Sequence, residues 1–201
     1  LEMGWNGLEN LSLIPGCVGA APIQNIGAYG VELSERFDSL EMMYKATGDV
    51  RKMDLSDCQF GYRDSFFKQS GQDEYIITAV SFRLSTKSDI CIEYPALKQA
   101  LMQLHTQLQM KHGQSFHEIL TPKMISDIVS SIRRSKLPDP ASIPNAGSFF
   151  KNPVISLEAQ ATLKKEYPDI VSQDLHNGSM KIAAGYLIEK TGWKGFQRNG
   201  V

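Results

Sequence analysis

The sequence predicts an α+β fold, and three observations carry that prediction. From residue 75 to 84 the chain alternates, with Ile76, Thr78, Val80, Phe82 and Leu84 on one face and Ile77, Ala79, Ser81 and Arg83 on the other. A period of two is the mark of a strand. Leu97, Leu101, Leu104 and Leu108, and then Ile125, Ile128, Val129 and Ile132, recur instead at helical spacing. Hairpin signals and long helices occur without regular βαβ alternation, which favours α+β over a doubly wound sheet. The chain has 201 residues, 42% hydrophobic and 21% charged, enough for one large domain or two small ones.

In chain order, residues 7–32 are rich in Gly, Ala, Asn and Pro, which break both helices and central strands. Residues 37–53 read as a hairpin, with strands at 40–44 and 50–53 turned at Thr47-Gly48-Asp49. Residues 55–60 suit a short helical turn. The strand at 75–84 follows, then a second at 89–94. A helix begins near Leu97, with Gly113 as its stop. The next has Thr121 as N-cap and Pro122 in the first turn. Leu137-Pro138-Asp139-Pro140 reads as a linker, dividing the chain into 1–137 and 138–201. Two shorter helices are expected at 157–167 and 181–191, the second ending at Gly192.

Composition excludes several classes. No run of about 18 apolar residues suits a membrane span, and the first residues have neither the basic nor the apolar region of a signal peptide. A formal net charge of -1 makes no electrostatic case for nucleic acid or membrane partners. Cys17, Cys58 and Cys91 form no C-x-x-C pair, so reduced thiols in a cytoplasmic protein are expected. The first residue is not Met, and the end reads as if a strand were beginning, so a piece of a longer protein is expected.

Read alone, most candidate motifs keep a bland alternative. Gly16 to Gly30, G-C-V-G-A-A-P-I-Q-N-I-G-A-Y-G, would let backbone N–H groups approach a pyrophosphate. It contains neither a G-x-G-x-x-G fingerprint nor a Walker loop, and a tight connection packed on a sheet is an equal reading. In F-G-Y-R-D-S (60–65), Arg63 could bind a carboxylate or enolate through its planar fork. A surface arginine beside a carboxylate such as Asp64 is the commoner case. Arg133, Arg134 and Lys136 end a helix, where cations face the negative end of the macrodipole; a phosphate contact is the alternative. His105 and His112 share a helical face but lie roughly 10 Å apart, too far for one ion. His117 completes no ligand pattern, so no metal is expected. Ser148, in N-A-G-S-F-F-K-N-P (145–153), has no G-x-S-x-G elbow and no adjacent histidine. On local evidence it is a turn residue.

Taken together, the motifs say more. G-L-E-N-L-S-L-I-P-G-C-V-G-A-A-P-I-Q (7–24), N-I-G-A-Y-G-V-E (25–32), F-G-Y-R-D-S (60–65), K-L-P-D-P (136–140), N-A-G-S-F-F-K-N-P (145–153) and A-A-G-Y-L-I-E (183–189) occur in this order. The chain thereby resembles the UDP-N-acetylenolpyruvoylglucosamine reductase family from about residue 7 to its end. The resemblance implies an FAD-binding lobe of the vanillyl-alcohol-oxidase type followed by part of a substrate-binding α+β domain. It implies FAD and NADPH as cofactors and UDP-N-acetylglucosamine enolpyruvate as substrate, reduced to UDP-N-acetylmuramate for peptidoglycan, with no obligatory protein partner.

By the same resemblance, Arg63 matches the arginine that stabilises an enolate-like intermediate, and Ser148 the serine that protonates its α-carbon. Tyr62, Tyr94, Lys136 and Asn152 match substrate contacts, with Tyr94 and Lys136 at the pyrophosphate and Asn152 at the uracil end. Gly16, Cys17, Gly19, Ala20, Ala21, Asn25, Gly27, Ala28 and Tyr29 would line the flavin, and Arg133 would reach the cofactor. The family's Gly-Gly-Gly-Ser-Asn-like loop would lie before Leu1, and its second acid, a glutamate, after Val201. These 201 residues alone are therefore expected to bind weakly and not turn over. A different flavin oxidoreductase and a non-catalytic nucleotide-sugar-binding module are the competing readings.

Overall fold

The computed structural model describes residues 3–69, 73–87, 90–107, 120–144, 148–175 and 177–198. The chain divides into two compact units, Leu1–Asn145 and Ala146–Val201. Both mix helices with antiparallel sheet, so the fold is α+β.

The first unit holds a small antiparallel hairpin, β1 (Gly27–Ala28) with β2 (Val31–Glu32). It also holds a three-stranded antiparallel sheet in which β3 (Phe37–Tyr44) lies between β4 (Val50–Met53) and β5 (Tyr75–Phe82). The expected 37–53 hairpin is present, with Leu40 opposite Met53 and Met43 opposite Val50. Its turn closes through Gly48 N–H to the Tyr44 carbonyl at 2.8 Å, with Gly48 at φ +77°. Residues 55–59 form the expected turn, in which the Cys58 N–H reaches the Asp54 carbonyl at 3.2 Å.

Strand β5 corrects the simple alternation. Ala79 pairs with Glu41, but the next pair is Ile77 with Met42, so Thr78 is an extra residue. Such a bulge reverses which side chains face in. Ile77, Val80 and Phe82 therefore pack on the core, while Ile76 is 45% exposed. The core they cover is Leu33, Phe37, Leu40, Met42, Met53, Cys58 and Phe67. The last of these belongs to a short helix, α1 (Phe66–Gln69).

The strand expected at 89–94 is not formed over its described residues, 90–94. Ile90 and Ile92 instead pack against a second core of Leu97, Leu101, Leu120, Ile125 and Val129. Their apolar spacing serves helix packing rather than a ladder. The second core joins α2 (Pro95–Gln107) to α3 (Pro122–Lys136). Thr121 caps α3 as expected, its hydroxyl accepting from the Met124 N–H at 3.2 Å. Leu108, Gly113, His112 and His117 lie outside the described residues.

In the second unit, β8 (Ser179–Ile182) lies between β6 (Val154–Ser156) and β7 (Ser172–Asp174), both antiparallel to it. Helix α4 (Leu157–Glu166) starts at a Ser156 cap. The helix expected from 181 begins later, as α5 (Ala184–Lys190), because Lys181 and Ile182 are already paired in β8. Gly192, at φ +78°, ends it in the left-handed conformation that glycine favours. No helix among the described residues is long and apolar enough to cross a membrane.

Burial, reinforced by the charges of Asp57 and Asp54, pushes the Cys58 thiol from 9.0 up to about 12. The folded protein keeps this proton where the unfolded chain loses it. Its contribution to stability is thus complete below about pH 9 and declines as pH rises towards 12. Denaturant midpoints should fall across that window, and Cys58→Ala should flatten the slope; an unchanged slope removes the thiol as its source. Leu40→Ala, at a site 1% exposed, should cost about 2–5 kcal/mol in equilibrium unfolding. A loss below about 1 kcal/mol would show that this core collapses around the gap.

Candidate functional site

The site is built on the glycine-rich segment. After Cys17 the chain makes two 3₁₀ turns, Val18–Ala20 and Pro22–Gln24, and then reverses at Asn25, whose φ is 44°. Gly19 lies against β5, where an added Cβ would sit 3.0 Å from the Ile77 carbonyl. Gly16, Cys17, Val18 and Ala20 are exposed, so the loop backbone lies at the surface. The β1–β2 hairpin turns at Tyr29 (φ 50°) and Gly30 (φ 89°), the paired left-handed residues of a type I′ turn.

Arg63 reaches this hairpin from the turn at 61–64. Its Nη1 donates to the Asn25 carbonyl and to Glu32 Oε1, both at 3.3 Å, and its Nη2 to the Gly27 carbonyl. The arginine passes so close that a Cβ on Gly27 would lie 2.6 Å from Nη1. Its ion pair is with Glu32 and not with Asp64, whose carboxylate accepts from the Ser65 N–H and from Gln69. Tyr62 lies under the guanidinium, 5.1 Å from ring centroid to Cζ. Two of the five guanidinium donors, Nε–H and one on Nη2, have no protein partner among the described residues. Two donors are what a carboxylate takes.

Asn25 holds the other side of this arrangement. Only 1% exposed, it donates to Glu32 Oε2 at 2.9 Å and to the Gly61 carbonyl at 3.0 Å, and accepts from the Ser34 N–H at 3.0 Å. Its side chain is thus committed within the protein, although the resemblance set it among the flavin contacts.

At the far end of the hairpin, Tyr29 meets Tyr94 edge to face, with centroids 5.2 Å apart. Burial raises the Tyr29 phenol above its ordinary range; the nearby charge of Arg133 opposes this and Tyr94 adds to it. Arg133 donates from Nε to the Leu13 carbonyl at 3.2 Å, just upstream of the glycine loop. The buried Asn10 amide ties the Tyr29 and Cys91 carbonyls together at 2.8 and 2.9 Å. The hairpin therefore gathers Asn25, Gly27, Tyr62 and Arg63 at one end, and Tyr29, Tyr94 and Arg133 at the other, with Ala28 between.

Lys136 is exposed in the last turn of α3. In the second unit Ser148 is exposed. Asn152 caps α5, its Oδ1 accepting from the Ala184 N–H at 2.9 Å where Ala183 offers no side-chain cap. Sequence reasoning missed Glu32 and Asn10. A two-residue turn at Tyr29-Gly30 sets Gly27 opposite Glu32, but Tyr is not a usual first residue for such a turn.

The residues present fit a dinucleotide. The segment from Gly16 to Ala20 is exposed except at Gly19, has no acidic side chain, and ends in the 3₁₀ turn Val18–Ala20, whose first N–H groups have no partner within the turn. In agreement, residues 2–54 match the family model described as an FAD binding domain.

The rest of the chain carries a further likeness. Residues 139–201 match the family model of the UDP-N-acetylenolpyruvoylglucosamine reductase C-terminal domain. The reductase of that name from Pseudomonas syringae pv. tomato is 48% identical over 198 residues, covering 98% of this chain and 55% of that protein. The one from Paraburkholderia phytofirmans is 50% identical over 195 residues, covering 97% and 54%. A crystal structure of UDP-N-acetylenolpyruvylglucosamine reductase from Thermus caldophilus aligns with a TM-score of 0.56 at 21% identity, over 98% of this chain and 50% of that one. At that identity the likeness shows the fold. The resemblance read from the motifs is borne out along the chain, which spans about half the length of the curated relatives it matches.

Gly27→Ala should destabilise the first unit by about 1–3 kcal/mol, because the methyl meets Arg63, Glu32 and the Val31 carbonyl. Gly185→Ala, in α5 with no atom within 4 Å of the added carbon, should be neutral or stabilise by up to about 1 kcal/mol. Thermal unfolding of the two variants should give shifts that differ in this direction; equal shifts would contradict the packing of Arg63 through Gly27.

Proposed function

We propose that the protein containing this chain is a UDP-N-acetylenolpyruvoylglucosamine reductase, acting in the cytoplasm. It reduces UDP-N-acetylglucosamine enolpyruvate to UDP-N-acetylmuramate with NADPH. The observation that carries this reading in the structure is Arg63, fixed by the glycine hairpin with two donors that have no protein partner among the described residues. Similarity of 46–50% to reductases along the whole chain supports it.

Bound FAD, once reduced by hydride from NADPH, would supply the hydride that adds to the substrate β-carbon and would return to its oxidised form. Negative charge then develops at the α-carbon and spreads into the substrate carboxylate. Arg63 meets that charge with N–H donors already oriented, so little reorganisation is needed as it forms. Stabilisation of this kind contributes roughly 3 kcal/mol. The Ser148 hydroxyl delivers a proton to the α-carbon, since a carbanionic carbon is basic enough to take it. A positioned donor of this kind contributes on the order of 10²–10⁴-fold. Tyr94 and Lys136 hold the substrate pyrophosphate, Tyr62 lines the reacting end, and Asn152 serves the uracil end. Arg133 and the Gly16–Tyr29 segment, 16–29, bind the flavin.

The full-length protein should be yellow, and the enolpyruvyl substrate should perturb its flavin spectrum. A colourless protein that still binds the UDP-sugar would contradict the reading. Ser148→Ala should leave flavin reduction by NADPH intact and lower turnover by about 10²-fold or more. Normal turnover in that variant would remove Ser148 from the reaction.

A further inference from the structure

We propose that Glu32 is a positioning residue for Arg63, and that it acts only as a carboxylate. This rests on the reductase reading and adds a residue to it.

The Glu32 side chain accepts from three directions. Oε1 takes Arg63 Nη1 at 3.3 Å and Oε2 takes Asn25 Nδ2 at 2.9 Å. The carboxylate also accepts from the Glu35 N–H in a capping box, while Glu35 Oε1 receives the Glu32 N–H at 2.7 Å. All three partners donate. A carboxylate has only acceptors and suits this site; an amide of the same shape would turn an NH₂ group against one of the donors.

The placement of Arg63 depends on this group. Arg63 itself has a left-handed backbone, φ 55°, and its side chain crosses the hairpin where Gly27 leaves room. Its other two anchors are carbonyls, that of Gly27 in the hairpin and that of Asn25 just before it. Glu32 is the side-chain acceptor that holds the guanidinium against them, and Asn25 and Glu35 hold Glu32 in turn. Arg63 and Glu32 are respectively 27% and 34% exposed, so substrate charge can approach the arginine without passing through a sealed core. Loss of the acceptor leaves the cation in place on the chain but free to turn away from the direction in which its spare donors point.

The test compares two half-reactions in the full-length protein. Glu32→Gln should leave flavin reduction by NADPH within about threefold and lower kcat with the enolpyruvyl substrate by roughly 10–100-fold. Arg63→Lys added to Glu32→Gln should cost little more, because residues that act as a unit are not additive. Unchanged turnover, an equal loss in both half-reactions, or fully additive losses would each overturn the proposal. If Glu32→Gln does not fold, Glu32→Asp takes its place: this shorter acceptor should fold and lose turnover selectively, and an equal loss in both half-reactions overturns the proposal. If the unaltered protein shows neither flavin reduction nor turnover, the reductase reading fails by itself. The pairing is then read from thermal unfolding of Glu32→Gln, Arg63→Lys and the double variant, where non-additive shifts support it and additive shifts overturn it.

Discussion

A buried asparagine fixes the geometry on which the first unit's site depends. Asn25 reverses the chain in a left-handed conformation, and its amide bonds at once to the hairpin, to the segment that follows it and to the turn at Gly61. Each of these bonds replaces water with a protein partner at a site that is almost fully enclosed. A polar network of that kind is stable only when every member is satisfied, since an unpaired buried group carries its full desolvation cost. The loop, the hairpin and the 61–64 turn are therefore held as one object rather than as three flexible loops.

From that object two different chemistries extend. The Gly27 end accepts an arginine because no side chain is there to exclude it, and the arginine brings charge next to the loop. The Tyr29 end leans on the helical core through Tyr94 and the α2–α3 cluster, with Arg133 reaching back to the start of the loop. The short hairpin is thus clamped between the sheet core and the helical core. Functional side chains on loops need such a rigid support to be useful, and here the support comes from main-chain and amide bonds more than from regular secondary structure.

Several features of the fold were legible in the sequence because they depend on nearest neighbours. The 37–53 hairpin, the Thr121 cap and the Gly192 stop each need only a few adjacent residues. The strand expected at 89–94 is not formed over its described residues, 90–94, and the sequence could not show this because Ile90 and Ile92 have the same spacing whether they meet a ladder or a helix. Strand β5 was found, but the unbroken alternation read along it is interrupted, since the bulge at Thr78 comes from its pairing with β3 and leaves no local mark. The start of α5 was misplaced for a related reason, as Lys181 and Ile182 are claimed by strand pairing across the second sheet.

For the site, the residue types were readable without a structure: a glycine-rich loop, an arginine in F-G-Y-R-D-S, a serine in N-A-G-S, and the family resemblance that ordered motifs carry. What tertiary structure alone decided is which of them hold one another. Asn25 and Asn152 carry structural bonds at the hairpin and at the start of α5, and Arg63 pairs with Glu32 rather than with the neighbouring Asp64. Those outcomes depend on which backbone segments pass within about 3 Å of each other, the reach of a hydrogen bond. Sequence separation does not encode that distance; only the closing of the hairpin and the packing of the 61–64 turn against it bring Arg63 and Glu32 together.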